Sequence, residues 1–196
     1  MERAAWPIAI KDGDLLLKPL KMKDKPQWES VRARNREWLD PWEATRPVVE
    51  GRADSESILP SYYQMLRQYA HEARSLRSIT LGLWSLAGNR PIFVGQITLG
   101  GIVFGAMRGA HIGYWIDQEY AGRGLTTRAV KAMTDYGFSE LHLHRIEINL
   151  RPENAASEKV AQKAGFTFEG LRHRYLHING DWRDHLTYVK ENPDIR

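Results

Sequence analysis

The sequence predicts one α+β domain spanning residues 1–196, an α/β/α sandwich in which helices cover both faces of a mostly antiparallel central sheet. Three observations predict it. Apolar residues recur with a period of two between turn dipeptides from Ser78 to Ile116. Segments with apolar residues at helical spacing lie before and after that stretch. A turn carrying Gly122 and Gly124 then joins a strand directly to a helix. A hydrophobic content of 42% over 196 residues supplies enough apolar surface for one substantial core.

Ile8 to Ile10 and Leu15 to Leu17 flank Asp12-Gly13, a hairpin signal, so the chain opens on a β-ribbon. Asp24 stands where a helix cap is needed, with Pro26 in the first turn. Trp28, Val31, Asn35, Trp38 and Leu39 follow near one face, until Asp40-Pro41 ends the helix. After a loop to about Asp54, the spacing of Tyr62, Met65, Leu66, Tyr69 and Ala73 predicts a helix over 57–74, with Pro60 near its start. Thr80 to Leu86, Ile92 to Phe104 and Ala110 to Ile116 form an antiparallel meander. It turns at Gly88-Asn89, and Gly100-Gly101 bends its middle strand.

Ile112 to Val130 is the stretch around which the chain is organised: a strand stops, the glycine turn follows, and a helix starts at once. The first amides of such a helix have no intrahelical carbonyl and point outward at the positive end of its dipole, so they bind anions. Glycine lets a phosphate approach closely and tolerates positive φ, while Arg123, Thr126 and Thr127 add a charge and two hydroxyls. Neither the P-loop nor the three-glycine dinucleotide fingerprint is present. Leu125, Ala129, Ala132, Met133 and Tyr136 give the helix an apolar face for the sheet.

Arg145 to Leu150 alternates Ile146, Ile148 and Leu150 with Arg145, Glu147 and Asn149. In a central strand such a polar row implies a cleft; in an edge strand it is a solvated face. Asn154 caps a last helix with Ser157 in its first turn, stopped by Gly165 ahead of Phe166. Phe168 to Ile178 and Arg183 to Val189 form a hairpin across Asn179-Gly180.

The absence of cysteine excludes disulfides, thiolate zinc sites and a cysteine nucleophile, and suits a cytoplasmic protein. No signal core stands at the N-terminus and no run reaches the roughly 18 apolar residues of a membrane span, so no membrane association is expected. The charge of +4 and pI near 9.3 arise from bases spread along the chain. That pattern suits an anionic cofactor or a ribosome contact rather than dedicated nucleic-acid binding. His111, His142, His144, His173 and His185 lack metal-ligand spacing, and no metal is expected.

Glu119-Tyr-Ala-Gly122-Arg-Gly124-Leu-Thr-Thr, with Asn154-Ala-Ala-Ser157 through Lys163-Ala-Gly165-Phe166 and Glu169-Gly170, resembles the Gcn5-related N-acetyltransferases (GNAT) over nearly the whole chain. The closing Tyr175 to His185 resembles the ribosomal-protein-alanine N-acetyltransferases, the Rim group. The resemblance implies a mixed sheet of about seven strands with a V-shaped splay, and acetyl-CoA as donor. Its pyrophosphate would lie on Gly122, Arg123, Gly124, Leu125, Thr126 and Thr127, and its pantetheine between the strand ending at Asp117 and the strand Arg145 to Leu150. The resemblance also implies that amides near Trp115, Ile116 and Asp117 polarise the thioester carbonyl. Asn154 would contact the pantetheine, Ser157 would sit near the sulfur, and Lys163 joins the cofactor-binding set. Two departures stand out: Glu119 where relatives often carry Gln or Arg, and Leu176 between Tyr175 and His177 where some relatives place a basic carboxylate.

The implied chemistry is attack of a neutral amine on the thioester. Its proton goes to Glu147, to His177, or to water ending on either, through Asn149; a salt bridge with Arg145 or Arg151 is the competing role for Glu147. Ser157 is the candidate acid toward the thiolate as well as a capping hydroxyl. The expected acceptor is the N-terminal α-amine of alanine or serine on a ribosomal protein, with Trp38, Asp40, Trp42 and Glu43 near its mouth; both tryptophans in the core is the competing placement. An aminoglycoside or other small amine is the runner-up, and a non-catalytic acyl-CoA-binding or ribosome-docking protein is the alternative of a different class.

Overall fold

The computed structural model describes residues 6–48 and 60–195. β1 (Ile10–Asp12) and β2 (Leu15–Lys18) form the opening ribbon around Gly13, at φ 55. Asp24 does not cap the next helix. Its carboxylate turns back to accept the Lys21 amide at 2.8 Å, closing a short 3-10 turn over Met22–Asp24. The helix expected to run unbroken to Leu39 divides at Asn35 (φ −100, ψ 13) into α1 (Lys25–Arg34) and α2 (Arg36–Leu39). A 3-10 turn over Asp40–Trp42 follows. α3 (Tyr62–Arg74) starts at a capping box between Ser61 and Gln64; the expected start at Ser57 lies outside the described residues.

β3 (Ile79–Ser85), β4 (Ile92–Val103) and β5 (Gly109–Ile116) form the expected meander, bulged between Gly100 and Val103 where Gly101 takes φ 58. α4 (Leu125–Ser139), β6 (Arg145–Leu150), α5 (Ala155–Lys163), β7 (Thr167–Ile178) and β8 (Asp181–Glu191) complete the chain. Among the described residues the eight strands run β1-β2-β3-β4-β5-β6-β8-β7, so β6 is central and its polar row is no solvated edge. Ile146, Ile148 and Leu150 face one core with Ala129, Met133 and Ala161 of α4 and α5. Val31 of α1 packs with Trp84 and Phe93 in a second core, against partly buried Met65 and Leu66 of α3. Among the described residues no helix is long and apolar enough to cross a membrane.

One pairing positions the site. β5 and β6 are parallel, and they pair only from Gly109 to His111 against Arg145 to Glu147. Beyond that, β5 stays registered on β4 as far as Ile116 and β6 on β8 as far as Leu150. Each strand follows its other neighbour, so the sheet parts between them.

Candidate active site

A cavity of about 530 Å³ lies beside the diverging end of β5, with walls from β5, the α4 turn, α5 and the α2 end; no β6 residue lines it. Gly122 (φ 75) and Gly124 (φ 77) line it in the left-handed region, and a Cβ added at either would meet nothing within 4 Å. The first intrahelical bond of α4 runs from the Arg128 amide to the Gly124 carbonyl at 3.1 Å, which leaves the amides of Leu125, Thr126 and Thr127 without a helical acceptor. An open cradle of free amides at a helix start fits a phosphate group. Lys163 lines the cavity and so does Lys159; a spacing of four puts both on one face of α5. Arg123 does not line the cavity; its guanidinium lies 4.8 Å from the ring centre of Tyr120, which does.

Trp115 and Ile116 line the cavity, whereas Asp117 is fully buried and its amide donates to the Val94 carbonyl at 2.7 Å. An amide held in the sheet has no hydrogen left for a thioester, so the expectation for Asp117 is corrected to a structural role. Its carboxylate accepts from Arg34, from Asn35 Nδ2 at 2.8 Å and from the Glu119 amide at 3.3 Å. Burial pushes the Asp117 carboxyl up, but Arg34 and Asn35 outweigh it and hold the group below the ordinary aspartate value.

Asn154 caps α5 by accepting the Ser157 amide at 3.0 Å, and both residues line the cavity. The Ser157 hydroxyl lies 2.7 Å from the Tyr114 hydroxyl, a residue the motifs did not single out. Its signal was the period of two in β5, which sets Ile112, Tyr114 and Ile116 on the α5 face.

At the other end of the cavity stand Trp38, Trp42 and Trp115. The Trp38 Nε1 donates to the Ile116 carbonyl at 3.1 Å, the Arg151 guanidinium lies 5.5 Å from the Trp42 ring, and Arg32 lies 5.2 Å from that of Trp115. The two acids expected at this mouth are matched by bases: Glu43 pairs with Arg32, and Asp40 lies 3.6 Å from Arg36. His177 bonds Thr45 Oγ1 at 2.8 Å on the exposed β7–β8 hairpin.

The acetyltransferase (GNAT) domain family matches residues 14–167. This chain is a GNAT acetyltransferase. It is 30% identical over 185 residues to the probable N-acetyltransferase YjcK of Bacillus subtilis, covering 94% of this chain and 98% of that protein. It is 30% identical over 174 residues to the [ribosomal protein uS5]-alanine N-acetyltransferase of Escherichia coli, covering 87% of this chain and 85% of that protein. Among solved structures, Mycobacterium smegmatis RimJ in complex with CoA-disulfide superposes with a TM-score of 0.81 at 34% identity, over 95% of this chain and 88% of that one.

In this acetyltransferase the polar row of β6 does not supply the site. Glu147 accepts from Arg145 Nη2 at 2.9 Å and from Arg172 Nη2 at 2.9 Å, and Arg145 also pairs with Glu169. Asn149 donates to Glu147 at 3.4 Å and accepts from Thr187 Oγ1 at 2.8 Å. Neither residue lines the cavity. The expectation of Glu147 as base, relayed through Asn149, is therefore corrected: the carboxylate, its side chain only 10% exposed, has both oxygens committed to guanidinium groups. Glu147→Gln should lower stability by about 2 kcal/mol, because removing the charge leaves two arginines under-compensated. Acetyl transfer in the folded variant should stay within about threefold of the parent by steady-state assay; a loss on the scale of a missing base, about 100-fold or more, would restore Glu147 to catalysis.

Proposed function

We propose that this enzyme transfers the acetyl group of acetyl-CoA to the N-terminal α-amine of a protein, alanine or serine at the terminus of a ribosomal protein. The observation that carries the reading is the composition of the cavity. It joins a phosphate cradle to an indole-walled mouth. Among the described residues its only carboxylate is Glu153, ion-paired to Arg151 at 3.2 Å, and no imidazole lines it. An acceptor there must lose its proton with little help. Deprotonation at pH 7 costs roughly 1 kcal/mol for an α-amine of pKa near 8 and nearly 5 for a lysine near 10.4. The likeness to the uS5-alanine enzyme supports the same acceptor class.

Acetyl-CoA fits the chain's own groups. The amides of Leu125 to Thr127 with Gly122 and Gly124 would hold its pyrophosphate, Lys159 and Lys163 would face its phosphates, and Asn154 and Ser157 would meet the arm and sulfur. Attack by the amine nitrogen forms the N–C bond as the C–S bond breaks, the electron pair going to sulfur. The amine proton passes to water, and the Ser157 hydroxyl faces the new thiolate.

Peptides with a free terminal alanine or serine, and peptides with a blocked terminus and a free lysine, should differ in kcat/KM at pH 7 by about 100-fold or more in favour of the first. Mass spectrometry of the products locates the acetyl group. Modification confined to lysines, or to a small amine such as an aminoglycoside, would overturn the reading.

A further inference from the structure

Tyr114 lies beyond His111, the last β5 residue paired to β6, so it borders the parting of the sheet. Its side chain crosses to the first turn of α5, where the hydroxyl lies 2.7 Å from Ser157 Oγ and 3.3 Å from the Ser157 carbonyl oxygen. Among the described residues it has no other hydrogen-bond partner. Both of its contacts belong to the residue that faces the thiolate.

A phenol has one hydrogen, and the two contacts compete for it. Given to the carbonyl, it leaves the seryl hydrogen to point at the phenol oxygen and away from the cavity. Given to Oγ, over the shorter distance, it frees the seryl hydrogen to point into the cavity. Rotation of one O–H thus sets the direction of the other. Burial pushes the Tyr114 hydroxyl up to about 12, so at neutral pH it keeps its proton and works as a donor.

We propose that Tyr114 is a positioning residue that aims the Ser157 hydroxyl as a hydrogen-bond donor at the departing thiolate. This rests on the reading of Ser157 given above. No proton leaves Tyr114: the C–S electron pair stays on sulfur, steadied by the seryl O–H, and the amine proton goes to water. Such help grows only as charge develops on sulfur, so it acts on the transition state rather than on donor binding.

The test is a double-mutant cycle in single turnover with an N-terminal alanine peptide. Ser157→Ala should slow transfer by about 100-fold and Tyr114→Phe by about tenfold, each with the affinity for CoA within about twofold of the parent. The double variant should be no slower than Ser157→Ala alone, because the phenol acts through the seryl oxygen. Ser157→Thr, which keeps an Oγ, should retain most of the rate, and Tyr114→Phe should slow it in turn. Additive losses in the cycle, or an effect of Tyr114→Phe confined to CoA affinity or melting temperature, would overturn the role of Tyr114. A fully active Ser157→Ala would instead remove Ser157 from catalysis, and Tyr114 with it.

Discussion

Gly124→Val should weaken CoA binding by about 100-fold in a protein that still folds. Two effects converge on the position. At φ 77 a β-branched residue is strained, since the left-handed region costs an L-residue roughly 1–2 kcal/mol. That cost falls on folding. The larger loss falls on binding, because the new side chain would enter the space through which a phosphate reaches the amides of Leu125, Thr126 and Thr127; with nothing within 4 Å of an added Cβ, no packing gain offsets it. Hydrogen bonds to a charged group are worth roughly 1.5–3 kcal/mol each, so the loss of one or two gives the expected factor. Titration calorimetry with CoA reads the affinity, and Gly124→Ala separates strain from obstruction. A folded Val variant with parental affinity would remove the phosphate assignment from this turn.

Asp117→Ala should cost about 3 kcal/mol of stability, a fall of roughly 6–12 °C in Tm for a chain of this size. Asp117 is fully buried and receives Arg34, Asn35 and the Glu119 amide, so its removal leaves three donors short of an acceptor. Arg34, its side chain 38% exposed, can rehydrate, which keeps the expected cost at the low end for a broken buried pair. Asn35 is only 2% exposed and cannot. Because the folded-state value of Asp117 is depressed, its stabilisation is fully present above the unfolded aspartate value near 3.9 and is lost as pH falls toward the folded value. Urea unfolding at pH 7 and pH 3 should therefore show the gap between parent and variant shrinking at the lower pH. A gap equally wide at both would mean that packing, not charge, holds this junction. Asn35 also accepts the Gln118 amide at 2.9 Å, and α2 beyond it carries Trp38, so the variant should raise the acceptor KM as the mouth loosens.

The order of elements was legible because local signals set them. Asp12-Gly13, Gly122, Gly124, Gly165 and Asn179-Gly180 mark turns through backbone geometry that few other residues adopt, and the periods of two and 3.6 between them separate strands from helices. The positive-φ glycine turn at the start of α4 and the Asn154 cap on the Ser157 amide were legible for the same reason: a helix start is built within a few consecutive residues.

Side-chain direction and partners were not. Trp38 and Trp42 carried one pattern for core and for mouth, and only the docking of α2 on Ile116 put them in the cavity wall. Glu147 had the composition of a base, yet Arg172, 25 residues on, closes its second oxygen. Arg123 had the charge for a phosphate but stacks on Tyr120, and the Asp117 amide was taken by Val94 on another strand. Tyr114 reaches Ser157 only because β5 and β6 stop pairing at His111 and Glu147, which depends on strands far apart in the chain. The sequence by itself determined the order of strands and helices and the glycine turn ahead of α4, because turn residues and periodicity act over short stretches; it did not determine the break of the first helix at Asn35. The tertiary structure alone decided which polar groups remain free for chemistry, because a buried group takes its partners from distant strands and helices, and the nearest charge in space decides what it can do.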